Sequence, residues 1–448
     1  MKKNNQKLGL WETVSIAVGT MIGAGIFSIL GVGAQICHNN LYIAFAIAAL
    51  VSLSVAYSYA KLGAVYVSNA GPIEFILRGI GDNAVTGTLS ILMWFSYVIS
   101  ISLFAKAFAG YFLALFHLPL TPLLIGIIEV LVVAFFTALN FFGSKAVGKA
   151  EFWIVLIKLS ILLSFVVLGI WSIKPEFLKP LFSSKDIINT FSAAAVLFLT
   201  YMGFGLITNA SENIENPKET VPKAIYLSIL IVAFVYISVA VTALGNLGVE
   251  GLIKAKEYAL AEAAKPFLGE IGFTLVAIGA LFSTSSAINA TLYGGANVAY
   301  VLAKKGHLPE IFERKVWFQE PEGLYITAIL SVLFALFFDL NGISSLISFV
   351  FLVIYLFVIF SHYRLLGKVE GKKVWVIFNF IVIFSVFLVL VMYQWKTQKD
   401  SFYTSFGVVI VSFIFENIYR SITHRQIKER NIKEPFSLGK RIFKFLKI

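Results

Sequence analysis

Long apolar runs alternate with short polar or Gly/Pro-marked breaks along the whole 448-residue chain. A helix needs about 20 apolar residues to cross ~30 Å of hydrocarbon. Runs of that order fall at 9–34, 41–63, 83–113, 122–143, 149–172, 187–210, 222–246, 270–303, 323–339, 343–363, 373–395 and 401–422. The pattern predicts an all-α polytopic membrane protein with twelve transmembrane helices. The longest connection between runs, near 247–269, is too short for a soluble domain, as is the tail 423–448. Any site therefore sits among the spans.

Composition sharpens this reading. Hydrophobic residues make up 59% of the chain and charged residues 13%, whereas soluble domains run near 45–50% and ~25%. A cytosolic enzyme, a secreted disulfide scaffold and a disordered chain are excluded. The single cysteine, Cys37, allows neither an intramolecular disulfide nor a Cys-rich metal site. The start, Met1-Lys2-Lys3 ahead of an apolar run, resembles a leader peptide. That run continues past a leader's length with no small-residue cleavage site, and is taken as the first span.

The net charge of +12 reports topology. An even number of spans puts both termini on one side. If that side is cytoplasmic, it carries 26 Lys/Arg against eight in the outer loops, in keeping with the positive-inside rule. The expectation is a multi-pass cell-membrane protein with a cytoplasmic N-terminus (1–8) and a basic cytoplasmic tail (423–448). The excess charge then faces anionic lipid, and no nucleic acid is implied.

Two spans carry glycine interruptions in corresponding positions. The first reads Gly19-Thr20-Met21-Ile22-Gly23-Ala24-Gly25-Ile26-Phe27, and the sixth reads Thr200-Tyr201-Met202-Gly203-Phe204-Gly205. Each helical Gly costs roughly 1 kcal/mol relative to Ala. If the repeat unit is five helices, the two spans open the two halves, and the odd count inverts the second. Paired interruptions of this kind point to a transporter's midplane site. There, freed amides hold an anionic group and freed carbonyls a cationic one. Gly19 and Gly23, at i and i+4, equally suit a small-residue packing seam.

Lys158 lies nine residues beyond Lys149 in the fifth run, hence ~13 Å into the bilayer at 1.5 Å per residue. A lysine at that depth costs at least about 2.5–3.5 kcal/mol. Water stabilises the charged form of an amine, so an amine held away from water can load and release a proton as access alternates. Snorkelling toward the interface is the alternative, and it is the expectation for Lys106. Glu129 is expected to make an interfacial or interhelical hydrogen bond. Ser283 and Ser286 share one face of the eighth span; their hydroxyls could serve an ammonium or a cation, or bond back to their own helix.

Other chemistries lack residues. The five histidines (His38, His117, His307, His362 and His424) are scattered, and no His-Glu-x-x-His pair or phosphate-binding Gly-x-x-x-x-Gly-Lys loop is present. No enzyme activity, resident metal, cofactor or direct use of ATP is expected.

Three motifs carry a family resemblance. They are Gly23-Ala24-Gly25-Ile26-Phe27; Glu212-Asn213-Ile214-Glu215-Asn216-Pro217 followed by Val221-Pro222-Lys223; and Ala303-Lys304-Lys305-Gly306-His307-Leu308-Pro309. With them the whole chain resembles the amino acid–polyamine–organocation superfamily, most closely its archaeal proton-coupled amino-acid transporters of broad specificity. The resemblance implies a LeuT-type 5+5 inverted repeat, 9–172 and 187–363, plus two C-terminal helices, 373–422. It implies that amides around Ile22, Gly23, Ala24 and Gly25 hold a substrate carboxylate. Carbonyls near Phe198 and Tyr201, with Gly19 and Ile22, would face an ammonium. Gly203 would lie in the break, and Phe204 would close over the substrate side chain. Lys158 would stand where relatives hold sodium, partnered by Gly19 and Ser283, with Ser286 as a secondary coupling position. Residues 69–78 would form an amphipathic loop helix. The chain departs from the family at Gly205, where many members have an acid, at Asn297 in place of an arginine, and at Lys305 in place of an acid. The implied function is proton-coupled symport of neutral L-amino acids by alternating access; the alternative is amino-acid or amine exchange. No oligomeric state is implied.

Overall fold

In hydrocarbon every backbone amide and carbonyl must bond within the protein, and a helix does this locally. The computed structural model describes residues 7–140, 147–304, 306–315 and 321–423, with the side chains of Ala24 and of residues 147–152 outside that description. The N-terminal residues before 7, Lys305, and the expected basic tail from 424 on also lie outside it.

The described helices are α1 (Leu10–Cys37), α2 (Leu41–Val65), α3 (Pro72–Ile80), α4 (Ala84–Leu115), α5 (Pro122–Asn140), α6 (Val147–Gly169), α7 (Ser184–Leu197), α8 (Gly205–Asn209), α9 (Pro217–Ala255), α10 (Ala259–Glu262), α11 (Lys265–Lys304), α12 (Glu322–Phe337), α13 (Leu340–Arg364), α14 (Lys373–Thr397) and α15 (Lys399–Thr423). Every apolar run is helical over its described residues, among which ten helical stretches are long and apolar enough to cross a membrane. The all-helical polytopic fold expected from the sequence therefore stands. The short α12 has 16 residues, about 24 Å at 1.5 Å each. Asp339 then caps α13, accepting from the Gly342 amide at 2.8 Å.

Three details follow from glycine. Gly248 (φ 73°) and Gly269 (φ 60°) break α9 and α11 where the seventh run ends and the eighth begins; only Gly adopts that region at little cost. The sixth span divides as expected, with a 3₁₀ segment, Phe198–Phe204, between α7 and α8. The first span does not divide: α1 continues through Gly19, Gly23 and Gly25. Glycines lower the cost of opening a helix but do not impose it. α1 keeps its own bonds.

α9 packs along α1 and α2, α11 along α4 and α6, and α13 along α4 and α14. The outer helices turn apolar side chains outward, as with Trp375 and Phe378 on α14 and Ile414 and Ile418 on α15, where lipid covers them. α6 shows why Lys158 faces inward. Val155, Lys158, Leu162 and Phe165 repeat at helical spacing and are buried, while Trp153, Ile157 and Leu163 are exposed.

The first and last described segments of the chain lie at one end of the bundle. There Leu8 pairs with the 213–215 segment, Asn69 bonds Glu212, and Arg420 bonds Asp82 at 2.7 Å.

Candidate functional site

The middle of α1 receives donors from three surrounding helices. Lys158 is 1% exposed, and its Nζ donates to the Gly19 carbonyl at 3.1 Å. The Ser283 hydroxyl donates to the carbonyls of Ile22 and Gly23 at 3.2 and 3.3 Å. Tyr236 of α9 donates to the Met21 carbonyl. A helical carbonyl already accepts one amide and has a second lone pair; here that second site is used by side chains over more than one turn. The structure thus joins Lys158, Gly19 and Ser283 in one cluster linking α1, α6 and α11. Ser286 is buried one turn beyond Ser283.

Gly23 lets the amine approach. A Cβ there would stand 3.4 Å from Lys158 Nζ and 3.2 Å from the Ala287 Cβ. Gly25 is packed against Tyr236 and Thr200, and Gly203 against Met21 and Ala17. Gly25 and Gly203 thus form a small-residue seam that brings the 3₁₀ segment onto an unbroken α1.

Beside that contact lies a cavity of about 90 Å³. Its wall includes Thr20 and Met21 of α1, Thr200, Met202 and Gly203 of the 3₁₀ segment, Gly205 and Asn209 of α8, Met93, Ser96 and Tyr97 of α4, and Tyr355 of α13. No Asp, Glu, Lys or Arg is among the lining residues.

The expected substrate residues divide. Gly203 lines the cavity, and Ile22, Gly23 and Gly25 lie next to it on α1 without lining it. The Tyr201 hydroxyl donates to the Phe45 carbonyl at 3.1 Å, so its side chain is turned toward α2. Phe198 and Phe204 are buried behind the wall, 5.7 and 6.0 Å from the Tyr355 ring between centroids. Ala24 belongs to α1, with its side chain outside the described positions. Sequence reasoning missed Tyr97, Asn209, Tyr236 and Tyr355. Tyr355 had one signal, a lone hydroxyl inside an otherwise apolar stretch.

Hydrogen bonds and close contacts lie toward both ends of the bundle. At the end bearing the termini, the Asn209 amide donates to the Tyr97 hydroxyl at 2.9 Å. The Asn69 amide and its side chain donate to the two Glu212 oxygens at 3.0 and 3.2 Å. At the opposite end, Tyr111 donates to the Phe27 carbonyl at 2.9 Å, and Gly31 lies against the backbone of Leu252 and Lys256.

Lys106 differs from expectation. It does not snorkel: its Nζ bonds Glu129 Oε1 at 2.8 Å, with the two side chains 12% and 1% exposed. An amine in hydrocarbon is stabilised more by a buried carboxylate in reach than by stretching toward the interface. Glu129 thus makes the interhelical bond expected of it.

Known proteins give the context. Residues 8–414 match the family described as amino acid permease. An uncharacterized protein of Methanocaldococcus jannaschii is 60% identical over 425 residues, 95% of this chain and 98% of that one. The inner membrane transport protein YbaT of Escherichia coli is 32% identical, covering 92% of this chain and 95% of its own. The branched-chain amino acid permease BcaP of Bacillus subtilis is 25% identical, covering 69% of each. The solved manganese transporter of Eremococcus coleocola shares the fold, with a TM-score of 0.61 at 13% identity over 92% of this chain and 94% of that one. A match over nearly the full length, with relatives above 30% identity, makes this chain a member of the amino acid permease family of the amino acid–polyamine–organocation superfamily.

Proposed function

We propose that this protein is a proton-coupled symporter that imports neutral L-amino acids across the cell membrane, with both termini cytoplasmic. Its permease relatives support amino-acid transport, and no step calls for ATP, a cofactor or enzyme chemistry. The observation that carries the coupling is the Lys158 amine, buried and bonded to the Gly19 carbonyl. A buried ionisable group in a membrane protein marks a pathway or relay.

The proposed cycle follows from the contacts. Protonated Lys158 is a donor with no acceptor capacity, and it ties α6 to the middle of α1. When the site opens toward the cytoplasm, Nζ gives its proton to water and that tie weakens. α1 then moves from α6 and α11, and the amino acid leaves. Reloading from outside restores the tie. In this scheme the fixed amine does what a bound sodium ion does in relatives: it supplies a positive charge to α1 carbonyls. The substrate carboxylate would take amides freed near Gly23 and Gly25, and its ammonium the carbonyls of the 3₁₀ segment. In the closed form α1 is still bonded to itself. A wall without formal charge favours neutral side chains, because an unpaired charge there would be desolvated.

Uptake into proteoliposomes tests this. An inward acid gradient should drive accumulation of neutral amino acids with no need for Na⁺. Lys158→Ala should abolish gradient-driven accumulation while leaving the melting temperature close to that of the wild-type protein. Accumulation by the variant at the wild-type rate would refute the role of Lys158. Uptake driven only by amino acid on the opposite side, and indifferent to pH, would establish exchange instead.

A further inference from the structure

Resting on that reading of the cavity, we propose that Tyr355 reads the substrate side chain, so that the site selects neutral amino acids bearing a hydroxyl or amide over apolar amino acids of equal size. Tyr355 is 1% exposed, and its hydroxyl lies buried at the cavity without a hydrogen-bond partner. A buried hydroxyl without a partner is uncommon and costs free energy.

The ring is held on three sides. Phe204 stacks on it at 6.0 Å between centroids, and Phe198 and Tyr59 meet it edge-on at 5.7 and 5.4 Å. The hydroxyl therefore has a fixed position, and little freedom remains to be lost on binding. Some neighbouring polar groups are already committed, while Asn209 Oδ1, like the Tyr355 hydroxyl, is buried without a partner. The Thr20 and Ser96 hydroxyls donate to the carbonyls of Ile16 and Met93 at 2.9 and 2.6 Å, and Tyr97 accepts from Asn209. The Tyr355 hydroxyl, able to donate and accept, is buried beside the cavity with no partner of its own.

A side chain with a hydroxyl or amide completes this hydrogen bond. A methyl group in the same place leaves the tyrosine unsatisfied. Sites built to bond a substrate hydroxyl discriminate against the analogue lacking it for this reason. Methionine and aliphatic side chains around the rest of the wall supply contact without choosing between the two.

Threonine and valine have nearly the same shape and differ by this group. In proteoliposomes under an acid gradient, wild-type protein should take up threonine in preference to valine by about tenfold in kcat/KM, the weight of one buried hydrogen bond. Tyr355→Phe keeps the ring and removes the oxygen, and should bring that ratio to about one through loss of threonine uptake. Serine against alanine gives a second pair read the same way. A ratio unchanged by Tyr355→Phe, in protein with a wild-type melting curve, overturns the proposal. So does a wild-type ratio near one, which needs no variant and would mean that water satisfies the hydroxyl. Absence of uptake for every amino acid in wild-type protein would instead overturn the transport reading on which this one stands.

Discussion

At Gly203 a single methyl group would decide whether the sixth span can touch the first. A Cβ there would lie 2.7 Å from Met21 Cγ, 2.9 Å from the Met21 amide nitrogen and 3.2 Å from the Ala17 carbonyl. Two of these neighbours are backbone atoms of α1 and cannot rotate away. Gly205, two residues on, has only Tyr59 Cε1 within reach, at 3.8 Å. Gly203→Ala should therefore destabilise the protein by about 1–3 kcal/mol, the cost of overpacking a close-packed contact. Gly205→Ala should leave the melting temperature unchanged and raise KM for larger substrates by narrowing the cavity. Thermal unfolding in detergent separates the two, and equal melting temperatures would contradict the close approach. The sequence marked both positions only as glycine inside an apolar run. Which of them is crowded depends on α1, some 180 residues away, and no local pattern carries that distance.

At the level of helices, what depends on local chemistry was legible. The apolar runs gave the helices because length and hydropathy determine what can cross a bilayer. Gly248 and Gly269 sit at the ends of the seventh and eighth runs, and the 3₁₀ segment falls on the glycine-marked stretch of the sixth. Continuous α1 was not legible, since its glycines permit opening without imposing it. Nor was the bond between Lys106 of α4 and Glu129 of α5, whose partners are set by helix rotation. This pair gives a prediction about helix assembly. Glu129→Leu alone leaves an amine without its carboxylate in hydrocarbon, and should cost about 3–5 kcal/mol. Combining it with Lys106→Met should recover most of that loss, because two apolar side chains replace both charges. A double variant no more stable than the single one would show that the pair holds the helices through more than mutual neutralisation.

For the whole molecule, alternating access would make the contacts toward the two ends of the bundle set the balance between states. At the end bearing the termini, Asn69 and Glu212 exchange three hydrogen bonds, the third from the Glu212 amide to Asn69 Oδ1 at 3.3 Å, and the Ser68 amide donates to Ser211 Oγ at 3.0 Å. These tie the loop before α3 to the segment after α8. The three Asn69–Glu212 bonds are exposed to water, so each contributes only a fraction of the roughly 0.5–1.5 kcal/mol typical of an internal hydrogen bond, whereas the Ser68–Ser211 bond is buried. Glu212→Ala removes the side-chain acceptors while leaving the cavity wall intact. A shift of about 1 kcal/mol changes the ratio of open to closed molecules about fivefold. The chain is suited to reading this change, since its only cysteine, Cys37, is buried at 2% exposure. A cysteine placed at Ser100, on the cavity wall, then reports opening through its rate of reaction with a maleimide. Combined with Glu212→Ala, that rate should rise about fivefold in the absence of substrate and fall again when a transported amino acid occupies the cavity. A rate unmoved by Glu212→Ala would assign the closure to the Tyr97–Asn209 contact deeper in the bundle, and Asn209→Ala would then produce the rise alone.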